Sequence, residues 1–259
     1  MKFISISQAR KETNLSYLGG VNLSAKMVKN MKVSNNLTYG LYLSPANTSG
    51  YNVCQFATPE CKLGCLATSG RAAMDIQSGQ NIILNARINK TKLFFEEQKF
   101  FMNWMVAEIK ASQTKAINNN YEFSVRLNLT SDIDWQNVRL NGQNIFEMFP
   151  DVNFYDYSKN FNKFQSKPEN YHLTFSYTGK NWNQCKSLLE KGFNIAMVFN
   201  VKNETQLPAM YEGYKVVNGD ATDLRIKDGK GVIVGLKWKR IANKEAEKQV
   251  LNSCFVVKP

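Results

Sequence analysis

The sequence holds one histidine, His172, and an odd number of cysteines, five. A structural zinc ordinarily closes its coordination with a fourth Cys or His at short range, and this scarcity excludes that pattern here. The N-terminus, MKFISISQARKE, lacks an apolar stretch long enough for a signal peptide. No segment elsewhere approaches the roughly 18 apolar residues of a membrane helix, so no membrane partner is expected. With neither feature, the expected compartment is a reducing cytoplasm, where thiols persist and disulfides do not. Compact runs of five or more basic residues are also missing, so no dedicated nucleic-acid tail is marked.

What is present is a foldable, basic chain. Hydrophobic residues at 43% and aromatics at 12% exclude wholesale disorder, and 259 residues suffice for a large core. Lysine and arginine number 33 against 21 acidic residues, a net charge of +12. That balance favours a polyanionic partner, a nucleotide or nucleic acid, because neutralising phosphates releases counterions whatever the sequence.

Three of the five cysteines fall within twelve residues of the polar stretch YNVCQFATPECKLGCLATSGR, residues 51–71. Cys54, Cys61 and Cys65 are separated by spacers of six and three residues. Thiolates are soft ligands that select iron–sulfur clusters, zinc or copper(I). Three of them leave one coordination position vacant, which makes a four-iron, four-sulfur cluster with an open iron the leading expectation. Zinc completed from a distant residue is the alternative, and buried packing thiols are the plain one. Cys185 and Cys254 are expected to pack, and His172 to be structural.

Residues 1–36 are polar and are expected to lie as an N-terminal segment on a main body spanning 37–259. LTYGLYLSP, ending at Pro45, predicts a strand that feeds the cysteine loop. Residues 79–112 carry Ile83, Ala86, Ile88, Phe94, Phe95, Phe101, Met105 and Ile109 at near-helical spacing, which predicts one long helix or two in succession packed on a sheet. Strands are expected at 122–130, 152–158, 171–177, 193–201, 214–220 and 231–239. Helices are expected at NIFEMF and at 182–192, the latter stopped by Gly192. Alternating strands and helices imply α/β architecture with a mostly parallel sheet. The expected fold is a single domain, a complete or partial (β/α) barrel with the three-cysteine loop after its first strand.

Polar residues cluster where these strands end: Asn128, Ser131 and Asp132; Asp156 and Lys159; Thr174 and Ser176; Asn218, Asp220 and Asp223. Parallel sheets and barrels carry their active sites at the carboxyl ends of the strands. Asp132, Asp156, Lys159 and Asp220 are the candidate catalytic groups, and Asn128, Ser131, Arg126 and Ser176 the candidate cofactor-binding ones. Asp134 and Asp223 also suit helix caps. Arg126, inside an apolar strand, needs a buried partner, either a strand-end aspartate or a substrate anion. The basic end, KWKRIANKEAEK, suits a solvated surface, or a phosphate backbone with a base stacked on Trp238.

Taken together, LTYGLYLSPANTSGYNVC, TPEC, GCLATSGR, ARINKTKLFF, VRLNLTSDIDW, FPDVNFYDYSK, YHLTFSY and VVNGDATDLR resemble a phage protein family of the gene product 88 type over residues 16–240. The resemblance implies a phage origin, and hence the host cytoplasm, with a three-cysteine site. The order of first strand, three-cysteine loop, helix and further β/α units also resembles radical S-adenosylmethionine enzymes, with longer spacers than are typical there. That resemblance implies a cluster on Cys54, Cys61 and Cys65 whose open iron anchors S-adenosylmethionine. Asn128, Ser131 and Asp132 would then hold this cofactor, and Asp156, Lys159 and Asp220 would face a nucleotide or nucleic-acid substrate. Two other functions remain open at this stage. One is a zinc-stabilised nucleic-acid-binding or replication protein. The other is a non-redox, transglycosylase-like modification enzyme with an aspartate nucleophile.

Overall fold

The computed structural model describes residues 1–65, 81–241 and 243–259. Among them the chain forms α1 (Ile6–Thr13), β1 (Gly19–Val21), α2 (Ala25–Ser34), β2 (Asn36–Leu41), α3 (Pro59–Leu63), α4 (Ile82–Glu96) and α5 (Gln98–Asn118). There follow β3 (Glu122–Arg126), β4 (Arg139–Leu140), β5 (Gln143–Asn144), α6 (Ile145–Met148), β6 (Asn153–Ser158), β7 (Tyr171–Ser176), α7 (Trp182–Glu190) and β8 (Asn194–Phe199). The chain ends with β9 (Met210–Tyr211), β10 (Tyr214–Asn218), β11 (Ile233–Lys237), α8 (Lys244–Leu251) and β12 (Val256–Val257). Residues 66–71 of the cysteine stretch lie outside the described residues.

Local chemistry explains most boundaries. Ser5 and Ser24 accept from the backbone N–H groups of Gln8 and Met27, capping the first two helices. Thr58 caps α3 by accepting from Cys61 N, with Pro59 in the first turn where its missing N–H is harmless. The long apolar stretch is two helices, broken at Glu97. At Asn144 a reciprocal capping box with Glu147 starts α6 directly from the β4–β5 hairpin, whose turn sets Asn141 and Gly142 in the left-handed region.

The chain divides into two compact units. The first comprises Met1–Gln55, Ile82–Asp156 and Lys167–His172. Its strands run β1, β2, β3, β6, with β1 antiparallel to β2 and the others parallel. Asn36 stands opposite Glu122 and Gly40 opposite Arg126, so β2 and β3 end level with each other. Phe94, Phe101, Met105 and Ile109 are buried as the helical spacing requires. Phe94 meets the buried Trp135 at 5.2 Å. Ile83 and Phe95 depart from that stripe, 41% and 40% exposed, and Phe95 stacks on Tyr51 at 4.5 Å. Residues 1–36, expected as a plain covering segment, contain two helices and the edge strand β1.

The second unit comprises Phe56–Asn81, Tyr157–Ser166 and Leu173–Pro259. Its strands run β7, β8, β11, β10, β9, with β12 also on β8. β8 is parallel to β7, β11 and β12, and β11 to β10, while β9 is antiparallel to β10. The apolar run of β8 is buried at Ile195, Ala196, Met197 and Phe199, consistent with a strand covered on both faces. The architecture is therefore α/β with mostly parallel strands, as the alternation implied. Closure into a barrel is not shown: each unit's series ends on an antiparallel edge strand, β1 in one and β9 in the other.

Candidate active site

In the first unit, the carboxyl ends of β2, β3 and β6 meet in a network of buried polar groups. Asn128, two residues past β3, is its centre. Its Oδ1 accepts from Ser131 Oγ at 2.8 Å, Ile133 N at 2.9 Å and Trp135 Nε1 at 3.2 Å. Its Nδ2 donates to Ile133 O at 3.0 Å and to Asp156 Oδ2 at 3.4 Å. One amide thus fixes the whole 128–135 loop, since each buried donor or acceptor left unmade would cost roughly 1–3 kcal/mol.

Asp156, 1% exposed on β6, holds this amide from the other side. Its Oδ1 accepts from Asn128 N at 2.8 Å and lies 3.9 Å from Arg126 Nε; its Oδ2 accepts from Tyr171 OH at 3.1 Å. Arg126 is 7% exposed and also sits 5.8 Å from the ring centroid of Tyr155. The buried arginine has therefore found the strand-end aspartate that its position demanded. Burial, followed by the Asp156 and Asp132 charges, raises the Tyr171 hydroxyl well above its ordinary range, so it stays a protonated donor. Asp156 is a positioning group here, with both oxygens engaged in the protein.

The β2 loop is tied to this scaffold. Thr130 Oγ1 donates to Leu43 O at 2.5 Å, Asp132 N to Val53 O at 2.7 Å, and Cys54 Sγ to Thr130 O at 3.9 Å. Cys54 is consequently held beside Ser131 and Asp132. Ser131 is buried with its hydroxyl committed to Asn128, whereas Asp132 is half-buried.

The remaining candidates lie in the second unit. Asp220, just past β10, accepts from Lys237 N at 2.7 Å through Oδ2 and pairs with Lys239 Nζ at 3.2 Å through Oδ1. It clasps the ends of β10 and β11. Lys159 is half-buried one residue past β6, and Ser176 closes β7 with its carbonyl accepting from Asn181 Nδ2. Cys61 lies in α3 and Cys65 just after it, both half-buried. Trp238 is half-buried: its Nε1 donates to Glu247 at 3.2 Å, and the edge of its ring lies where a Cβ on Gly64 would come within 3.2 Å. Lys237 pairs with Glu204 at 3.3 Å.

Thiolates suit a soft metal, yet among the described residues no three His, Cys, Asp or Glu side chains form a group able to hold a metal ion. None of the five cysteines forms a disulfide among those residues. No helix of the described residues is long and apolar enough to cross a membrane.

The sequence reading overlooked a second buried polar group in the first unit. Glu108 of α5, 7% exposed, accepts from Leu18 N at 3.1 Å, Gly19 N at 2.9 Å and Tyr39 OH at 2.9 Å. Lys90 of α4, 5% exposed, has its Nζ 4.1 Å from the centroid of Tyr17. A glutamate and a lysine inside apolar helical runs were the available signal, since neither belongs in a core without partners.

Fold and network define a mostly parallel α/β protein whose loops are locked at the carboxyl ends of its strands, the place such folds reserve for chemistry. The chain belongs to the gene product 88 family of phage proteins, whose family model matches residues 7–252. No curated protein and no solved structure matches it.

Proposed function

We propose that this protein is a phage metalloenzyme acting on a nucleotide or nucleic acid at the carboxyl ends of β2, β3 and β6. The thiols of Cys54, Cys61 and Cys65 are its proposed metal-ligand set. The observation that carries the reading is the bonding of the Cys54 loop to the 130–132 loop, which brings a soft ligand beside an accessible carboxylate. Asp132 is the proposed acid or base, because it is half-buried beside the Cys54 loop, whereas Asp156 is enclosed. Asn128 and Asp156 hold its loop rigid, which keeps a reacting group within the narrow tolerance that proximity catalysis demands. The resemblance to radical enzymes makes an iron–sulfur cluster with S-adenosylmethionine the first version to test.

Anaerobic reconstitution with iron and sulfide is the test. The expected result is a broad visible absorption that a Cys61→Ala variant loses, whereas a spectrum without it removes the cluster. Charge supports a second reading, a zinc-stabilised nucleic-acid-binding protein. The second unit carries 18 Lys and Arg against 10 Asp and Glu, and the first 15 against 11. Stoichiometric zinc in aerobically prepared protein, with salt-sensitive DNA binding, would select it. A covalent adduct trapped on Asp132 would instead select the transglycosylase-like version.

A further inference from the structure

We propose that Ser44, Arg87 and Lys90 form a subsite for a phosphate-type oxyanion beside the carboxyl end of β2. The inference does not rest on the cysteines or on any metal. Arg87, Lys90 and Thr91 occupy positions i, i+3 and i+4 of α4 and therefore share one face of that helix. This face packs on the segment that leaves β2. Arg87 lies over the Tyr42 ring at 4.7 Å, and Ser44 N donates to Thr91 Oγ1 at 2.9 Å. Two cations and a serine hydroxyl are thereby gathered at one strand end.

Ser44 and Lys90 are each held at a cost that an anion would relieve. Ser44 is fully buried, and its Oγ has no hydrogen-bond partner. A buried hydroxyl left unmatched is unfavourable unless something outside the chain accepts from it. Lys90 is 5% exposed, yet no carboxylate among the described residues pairs with it directly; its close neighbour is the Tyr17 ring. Glu108 acts on Lys90 only through space, because both its oxygens are taken by Leu18 N, Gly19 N and Tyr39 OH. Arg87 adds like-charge repulsion, which with burial pushes the Lys90 amine down to about 8. An oxyanion would accept from the hydroxyl and turn that repulsion into two attractions. Tyr17 is 41% exposed and Arg87 half-buried, so an anion would enter from their side, with the buried Lys90 and Ser44 beneath. A tetrahedral phosphate with several acceptor oxygens suits a guanidinium, an ammonium and a hydroxyl together better than a single carboxylate does. The ligand chemistry is thus a phosphate group, either free or carried by a nucleotide or polynucleotide.

The test is stability of the whole chain in increasing inorganic phosphate, against chloride at equal ionic strength. Phosphate is expected to raise the unfolding midpoint of the wild type, since a ligand of the folded state alone stabilises it. Arg87→Met and Lys90→Met should each weaken the response roughly tenfold, the scale of one lost charge-assisted contact. Ser44→Ala should shrink the phosphate response while leaving stability in chloride unchanged or higher. A purely structural role for Ser44 would lower stability in both salts and would overturn the assignment for that residue. Arg87→Met and Ser44→Ala read the site independently of the stability gain that Lys90→Met should bring in chloride. Cys54→Ser should respond to phosphate like the wild type, which separates this subsite from the thiol reading. A nucleoside monophosphate binding more tightly than its nucleoside would identify a nucleotide source. An oligonucleotide displacing phosphate would identify a polynucleotide. The proposal is overturned by equal responses to phosphate and chloride in the wild type, or by undiminished responses in the Arg87 and Lys90 variants.

Discussion

Replacing Lys90 by methionine should make the protein more stable at neutral pH, and the gain should vanish in alkali. Methionine keeps the unbranched, apolar stem, one atom shorter, and removes the charge. Burial is the largest cause of the low Lys90 amine, with Glu108 opposing it and Arg87 adding to it. The fall from 10.5 to about 8, at about 1.4 kcal/mol per pH unit, makes the charged form roughly 3 kcal/mol less favourable folded than unfolded. Loss of the Tyr17 contact returns about 0.5–1 kcal/mol of that, leaving a gain of about 2 kcal/mol for the variant. The sign in pH follows from proton binding. Between about 8 and 10.5 the unfolded chain holds more protons at this site than the folded one, so wild-type stability rises through that window. Below it the penalty is fully present. Urea unfolding followed by tryptophan fluorescence at pH 7 and again near pH 10 measures both ends. A methionine variant less stable than wild type by the same amount at both pH values would refute the reasoning.

Three further outcomes follow from the packing. Asp156→Ala strands Arg126 and Tyr171 in the core and should cost about 3–5 kcal/mol in urea unfolding, the range for breaking a buried ion pair; a loss below 1 kcal/mol would show that Asp156 is not the anchor. Asn128→Ala removes the acceptor shared by Ser131, Ile133 and Trp135. Amide exchange across residues 129–135 and alkylation of Cys54 should both quicken, and unchanged Cys54 labelling would show that the two loops are not coupled. Gly179 has φ +91°, and a Cβ there would come within 2.8 Å of the Cys254 carbonyl carbon. Gly179→Ala should therefore lower stability by more than about 1 kcal/mol, checked by thermal unfolding.

Strand positions were legible because their signal is local. The apolar run of β8 and the alternation of strand and helix are written in a few consecutive residues. Pairing was not, because the antiparallel edges β1 and β9 are fixed by partners distant in sequence or by very short runs. The β4–β5 hairpin was readable and went unread: Asn141–Gly142 is the dipeptide that its turn requires. At the site, sequence identified polar residues at the strand ends but not the partners that several of them hold. Asp156 and Asp220 look alike along the chain as strand-end aspartates. Each proves to be occupied by partners, Tyr171 fifteen residues on in one case and the Lys237 amide seventeen residues on in the other. Such ties are invisible until the fold exists. Arg126 was the exception, since a charge in an apolar strand announces its own need for a partner.

The hold of Glu108 on Leu18 and Gly19 joins positions 90 and 89 residues apart through main-chain donors alone. Both donors are main-chain groups, and position 19 is fixed besides, because a Cβ on Gly19 would collide with the Tyr39 hydroxyl that completes the set. Deleting the first twenty residues would leave a desolvated carboxylate in the middle of α5 with Tyr39 as its sole surviving donor of the three. Damage from trimming the start of the chain would thus emerge in the middle of its longest helix, far from the cut.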